Sequence, residues 1–419
     1  MRNNSKMLAV VVYKNIFIMR TNNQVAHKFI LFLLNPFVAA VLSLKKNRDR
    51  ISIRILYFWF LMFGIGFCAV NDQLDSYRII ADFHNISGLS WNSYFLYLSE
   101  YFSFDTDIKD IYAVTIQFLV SRFTDNYHWV FLFFAAVFGF FYVSSLKLFL
   151  RYEAVGNLMV YYSLLFMFCY SNPIFNINGM RFWTAAWIGV FVLLSIVLEK
   201  NYKMLVLLIL TPFMHGTFLI WGVLFFVAFL TQKYQKIWIV LFIASSFVSA
   251  VSYINILHDY SYLLPHYMQN LVYSYTEADR AVAIMSGQTS YKAAYANVLN
   301  SLPGCFCLLM SYLLIFNLNA LKTEAKVNRL MRLYIPLAAM TNFLSGIPSM
   351  VRYEKMMIPL LVIIWAMSYS KMQKYNWIFS LIPLVYFYSL LYFFRHVSTV
   401  TEIPLYVMPA PFIVFYYLF

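Results

Sequence analysis

Apolar runs of about 17–25 residues recur along almost the whole chain, each long enough to cross the roughly 30 Å hydrocarbon core of a bilayer as a helix. They lie at about 29–44, 51–70, 127–150, 155–171, 182–198, 204–230, 237–257, 298–319, 333–350, 356–370, 376–394 and 403–419. A backbone in lipid must satisfy its own N–H and C=O groups, and uninterrupted runs of this length do so as helices. Composition closes the soluble alternative. Of 419 residues, 62% are hydrophobic and 11% charged, against about 45–50% and about 25% in ordinary soluble chains. So thin a charged coat cannot cover that much apolar surface in water. The expectation is an all-α, polytopic integral membrane protein with about 11–13 transmembrane helices. Soluble enzymes, disulfide-built secreted modules and disordered chains are excluded.

The formal charge of +14 does not indicate nucleic acid, because membrane proteins keep Lys and Arg in cytoplasmic loops. Basic clusters punctuate the runs: Lys45 to Arg50, Lys147/Arg151, Lys200/Lys203, Lys233/Lys236, Lys322 to Arg332, and Lys371/Lys374. Placing them in the cytoplasm collects 16 basic and 4 acidic residues there, leaving 9 basic and 13 acidic outside, with residues 1–28 and Arg54 set apart. That assignment holds only if 204–230 enters and returns on the same side. Its length, about 40 Å as one helix, is too short for two full crossings. Two half-helices meeting inside the membrane fit, with the break near Thr211-Pro212-Phe213-Met214-His215-Gly216. Irregular backbone at that depth must be buried in protein or line a wet cavity.

Residues 1–28 form a basic N-terminal segment, read as an interfacial amphipathic stretch or as sequence ahead of a start at Met19; they do not resemble a signal peptide. Residues 29–419 form a single membrane domain with outward loops at 71–110 and 258–297. The first loop is acidic and the second rich in tyrosine. Cys68, Cys169, Cys305 and Cys307 lie inside apolar stretches without ligand spacing and read as small core residues. No metal or cofactor is expected.

Four polar constellations stand at the outer ends of runs, where charge is costly and usually has a partner or a task. The first holds Asp72, Asp75 and Tyr77. These aspartates are helix N-caps or groups that bind or deprotonate a polyol. The second holds Asn178 and Arg181, the only charged residue between Glu153 and Glu199. Arg181 either snorkels to the interface or clamps a phosphate through its planar fork. The third is His215, a general base near neutral pH or a cap for the broken helix. The fourth is Arg352-Tyr353-Glu354-Lys355, an ordinary rim salt bridge or a second anion clamp. Walker, GxSxG, HExxH and dinucleotide motifs are absent from the sequence.

The order of these motifs resembles the EpsG-like group of bacterial polysaccharide polymerases, the Wzy-type O-antigen or capsule repeat-unit polymerases, over roughly 51–394. The matching residues are D-x-x-D-S-Y from Asp72, N-x-x-R-x-x-x-A from Asn178 through Arg181 to Ala185, Met214-His215, and R-Y-E from Arg352. The resemblance implies a GT-C-like, metal-independent, inverting glycosyltransferase in the bacterial inner membrane with its site facing the periplasm. It would transfer a growing glycan from undecaprenyl diphosphate to a hydroxyl of the next lipid-linked repeat unit. His215, Asp75, Arg181 and Arg352 would be catalytic; Asp72, Tyr77, Asn178, Tyr353 and Glu354 would bind substrate. Undecaprenyl-diphosphate-linked oligosaccharides, the bilayer, a chain-length regulator and a flippase are the implied partners, and no nucleic acid. An O-antigen ligase, another lipid-linked glycosyltransferase and a polysaccharide flippase or transporter are the alternatives.

Overall fold

A computed structural model describes residues 25–45, 49–68, 74–103, 110–247, 259–263, 269, 291–345, 350 and 352–419. Among them the chain is helical throughout, with no strand beyond an isolated bridge between Phe67 and Thr401. The N-terminal half holds α1 (Val25–Leu34), α2 (Pro36–Lys45), α3 (Arg50–Ile65), α4 (Asp75–Ser87), α5 (Trp91–Ser103), α6 (Tyr112–Val120), α7 (His128–Tyr152), α8 (Leu158–Ser171) and α9 (Met180–Glu199). Then follow α10 (Leu205–Met214), α11 (Phe218–Thr231), α12 (Gln235–Ser245), α13 (Tyr291–Phe316), α14 (Ala325–Leu344), α15 (Arg352–Met367), α16 (Ile382–Val397) and α17 (Ala410–Leu418).

Five helical stretches are long and apolar enough to cross a membrane: His128–Tyr152, Leu158–Glu199, Phe218–Ser245, Val298–Phe316 and Tyr369–Val397. The chain is an α-helical membrane protein. Other expected runs are realised as shorter or more polar helices. Run 29–44 breaks at Asn35-Pro36, where the Asn35 side chain accepts the Val38 N–H at 2.9 Å. Run 403–419 becomes two helices, Pro404–Val407 and α17, separated by Pro409, because Pro holds the preceding residue out of the helical region.

The 42-residue stretch Leu158–Glu199 is about 63 Å if straight, twice a bilayer. It folds back at a 3-10 turn, Ile174–Gly179. Phe168, before the turn, and Trp187, after it, bring their rings within 5.5 Å. Asn172 fastens the reversal. Its side chain donates to the Trp183 carbonyl at 3.0 Å, and its own carbonyl accepts the Trp187 indole N–H at 3.0 Å.

Helix α9 is the hub. Seventeen of its 20 residues are buried, which marks a helix enclosed on all sides rather than one with a lipid face. It packs against α7, α10, α14 and α15. The outer helices carry the complementary signature: Val223, Phe226 and Leu230 on α11, and Leu384, Phe387 and Phe394 on α16, are exposed. Such apolar surface belongs in lipid. Helices α3 and α7 approach closely through small residues. A Cβ on Gly64 would collide with Ala135 and lie 2.7 Å from the Phe131 carbonyl oxygen, and one on Gly139 would lie 2.8 Å from Phe60 Cβ. Small residues that let backbones come close are how helices gain packing energy in a bilayer.

Candidate functional site

The candidate residues converge on the first turn of α9. The 3-10 turn before it reaches toward the outer helix α4, whose Ser76 N–H donates to the Asn178 side-chain oxygen at 3.1 Å. Asn178 thus satisfies one of the free N–H groups that every helix start exposes. Asp75 is the first residue of α4 rather than its cap; the cap position is Leu74, which makes no side-chain bond. There the carboxylate meets the positive end of the helix dipole, and its Oδ2 lies 4.0 Å from the point a Cβ on Gly179 would occupy. Tyr77 continues α4 and is 47% exposed. Asp72 lies outside the described residues.

Arg181 projects from the first turn of α9 and pairs with Asp110, Nη1 to Oδ2 at 3.0 Å. The Arg181 side chain is 44% exposed and that of Asp110 4%. The Asp110 segment is itself clamped. Ile111 N–H donates to the Phe213 carbonyl at 3.0 Å, near the end of α10. Burial, followed by the Asp110 charge, pushes the nearby Tyr97 phenol up to about 12, so it remains protonated at neutral pH.

The next residue, Phe182, is the centre of an aromatic cluster. Its ring lies 5.4 Å from that of His215, perpendicular, 5.1 Å from Phe218 and 5.4 Å from Tyr353. These contacts fix the course of α10 and α11. Helix α10 climbs antiparallel to α9 until His215 reaches the level of Phe182, and α11 returns alongside α9, with Trp221 against Gly189. The break is His215–Thr217, not Pro212. Pro212 stays inside the last turn of α10. It cannot donate to the Leu208 carbonyl, and the Thr211 hydroxyl donates there instead, at 2.7 Å. At the break, His215 has extended backbone, its carbonyl accepts the Phe218 N–H at 2.9 Å, and its Nδ1 lies 2.8 Å from the Thr217 hydroxyl. Both readings of His215 therefore have a structural counterpart. The backbone starts α11, and the ring is held in one orientation beside Phe182.

Helix α15 supplies the remaining groups. Tyr353 is wholly buried, stacks on Trp221 at 5.9 Å and donates its hydroxyl to the Thr217 carbonyl at 2.7 Å. It pins the break from behind. Arg352 and Lys355, three apart and so on one helix face, turn toward α9. The Arg352 guanidinium carbon lies 5.6 Å from the Phe182 ring centre and the Lys355 ammonium 5.5 Å from that of Trp183. No carboxylate among the described residues lies within salt-bridge distance of either. Glu354 lies instead against the Ser345 side chain at the end of α14. A narrow crevice of about 10 Å³ lies between α9 and α15, lined by Lys355, Asn172, Trp183 and Met356 among others.

Asp75, Asn178, Arg181, His215, Arg352 and Tyr353 are thus brought to one end of the bundle, while Glu354 turns away. Lys355, read from the sequence only as part of the fourth constellation, joins Arg352 on one face. Sequence reasoning missed three contributors. Thr217 carried a signal, two residues past His215. Asp110 carried none, since its partner is 71 residues distant, and Trp183 looked like any other residue of an apolar run. Among the described residues no group of three or more His, Cys, Asp or Glu is placed to hold a metal ion. No family model, curated protein or solved structure matches the chain.

Proposed function

We propose that this chain is a membrane glycosyltransferase that polymerises lipid-diphosphate-linked oligosaccharide repeat units at the outer leaflet of the bacterial inner membrane. One observation carries the reading. Two cations, Arg352 and Lys355, sit over the aromatic pair Phe182–Trp183, which follows Arg181 in the chain and stands beside a histidine at a helix break. A cluster of cations at the end of an apolar bundle suits an anionic headgroup on an apolar tail. In the reaction, the acceptor hydroxyl gives its proton to His215 as its oxygen bonds the anomeric carbon. The bond from that carbon to the diphosphate breaks, and the electron pair leaves on the diphosphate. The three cations stabilise the charge that develops there. Attack from the face opposite the leaving group inverts the anomeric centre. Asp75 and Tyr77 at the start of α4 bind sugar hydroxyls.

The hairpin of α10 and α11 fits a re-entrant pair. From Tyr202 to Met214 it rises about 21 Å, short of a full crossing of about 30 Å, and both feet stand among lysines: Lys200/Lys203 and Lys233/Lys236. With the hairpin counted as one excursion, the basic clusters share one face, as in the proposed topology of about 11–13 membrane helices and a GT-C-like arrangement.

Deletion of the gene in its host, with surface glycan resolved on a gel, tests the reading. Collapse of a ladder to a single repeat supports polymerisation, and loss of every repeat points to a ligase or flippase. An unchanged ladder refutes a role in this glycan. Complementation with His215→Gln separates the roles of the ring. The base reading expects normal protein level without a ladder; loss of the protein itself assigns His215 to capping.

A further inference from the structure

Arg181 does not wait for an anion with an empty fork. Its Nη1 is already bonded to Asp110 at 3.0 Å. The pair is lopsided: the Asp110 side chain is 4% exposed, whereas that of Arg181 is 44% exposed. A guanidinium has five donors in a fixed plane, and only Nη1 meets a side-chain acceptor among the described residues. Arg181 stands beside Phe182, over which Arg352 sits, and Trp183, over which Lys355 sits. Asp110 takes one donor of the fork, and the others meet no side-chain acceptor among the described residues.

Asp110 is held in register by its neighbour. The Ile111 N–H is bonded to the Phe213 carbonyl, two residues before His215, and the Tyr101 and Phe102 rings lie 6.1 and 6.0 Å from that of Phe213. The carboxylate is delivered to Arg181 by backbone fixed to the helix that ends at His215. A structural strut would satisfy this geometry if Arg181 were buried with it. The Arg181 side chain is half-exposed, and Asp110 is its one side-chain acceptor among the described residues.

We propose that Asp110 is an internal anion that occupies Arg181 when the site is empty and is displaced when a diphosphate binds. The proposal rests on the reading of the cluster as a diphosphate site and names what regulates it. A vacant cluster of three cations at a membrane surface would attract the phosphodiester headgroups of ordinary lipids. A built-in carboxylate lowers the apparent affinity for every anion by the fraction of molecules in which Arg181 is free. A ligand with more charge, able to engage Arg352 and Lys355 as well, overcomes that penalty.

The test is calorimetric titration of inorganic pyrophosphate into the full chain in detergent, with Asp110→Asn, Arg181→Gln and the double variant. Asp110→Asn is expected to bind about tenfold tighter or more than the native protein, and Arg181→Gln to bind more weakly whatever stands at 110. Equal or weaker binding by Asp110→Asn, while Arg181→Gln still loses affinity, overturns the internal anion and leaves the diphosphate site standing. If Arg181→Gln binds as the native protein does, both ideas fall. Should Asp110→Asn not fold, the native protein answers through esterification of Asp110 by a diazo reagent, read by peptide mass spectrometry. Labelling that rises with pyrophosphate supports displacement, and labelling unchanged at saturation overturns it.

Discussion

Tyr353→Phe separates two roles for one residue. The resemblance assigns Tyr353 to substrate binding, whereas its burial and its bond to the Thr217 carbonyl make it a positioning residue for the His215 break. Phenylalanine keeps the ring packing on Trp221, Phe182 and Phe218 and removes only the hydroxyl. The Thr217 carbonyl then still accepts the Ile220 N–H at 3.0 Å. The loss is therefore that of an ordinary hydrogen bond, about 1 kcal/mol, without the larger penalty of an orphaned buried acceptor. If all of it is felt as misplacement of the His215 ring, turnover falls about fivefold. Tyr353→Ala also deletes the ring and should cost about 3–5 kcal/mol. The assays are complementation of the glycan ladder and thermal unfolding followed by tryptophan fluorescence. A Phe variant that melts like the native protein yet makes no ladder would refute this reasoning. The hydroxyl would then be touching substrate, in a site more open than the one described.

Gly64→Ala should destabilise by about 1–3 kcal/mol, because the new methyl meets the Phe131 backbone oxygen at 2.7 Å and no rotamer change relieves it. Gly222→Ala, with nothing within 4 Å, should melt no lower than the native protein in the same scan. Lys355→Met keeps the stem over Trp183 and removes the charge; pyrophosphate affinity should fall roughly tenfold with the melting point unchanged. Asp49 caps α3 through the Ser52 N–H and pairs with Lys28. Burial raises its pKa, but Lys28 and the Ser52 bonds together outweigh that and hold it below its ordinary 3.8. Its contribution is therefore present at neutral pH and lost as pH falls below about 4. Asp49→Ala should cost ~1 kcal/mol or less at neutral pH, given its exposure, and should shrink the drop in melting point on acidification.

What the sequence displayed was whatever one-dimensional chemistry dictates. Runs of apolar residues cannot be soluble, and a Pro and a Gly close to His215 mark a place where one long helix is interrupted. Two details escaped because they depend on partners. Pro212 is tolerated within α10 because Thr211 donates to the carbonyl that proline leaves vacant, so the break falls at the next point without such a substitute. Likewise 182–198 reads as one more apolar run, although α9 is enclosed by protein and α16 is not. Both are uniformly hydrophobic, since lipid and a packed core select the same side chains.

The same degeneracy explains why the site was half visible. Charged residues stand out against an apolar chain, so Arg181, His215 and Arg352 drew attention merely by being polar. Which of them meet is a matter of helix depth, set by the Asn172 reversal and the ring contacts of Phe182. Phe182 itself carries no chemistry and looks like any other residue of an apolar run. Yet its ring touches the histidine and lies under one of the arginines. Replacing it with leucine would leave every charged group in place and should still disorganise their spacing. A cationic site at the end of a membrane bundle is held together by its apolar residues, because the cations repel one another and cannot assemble themselves.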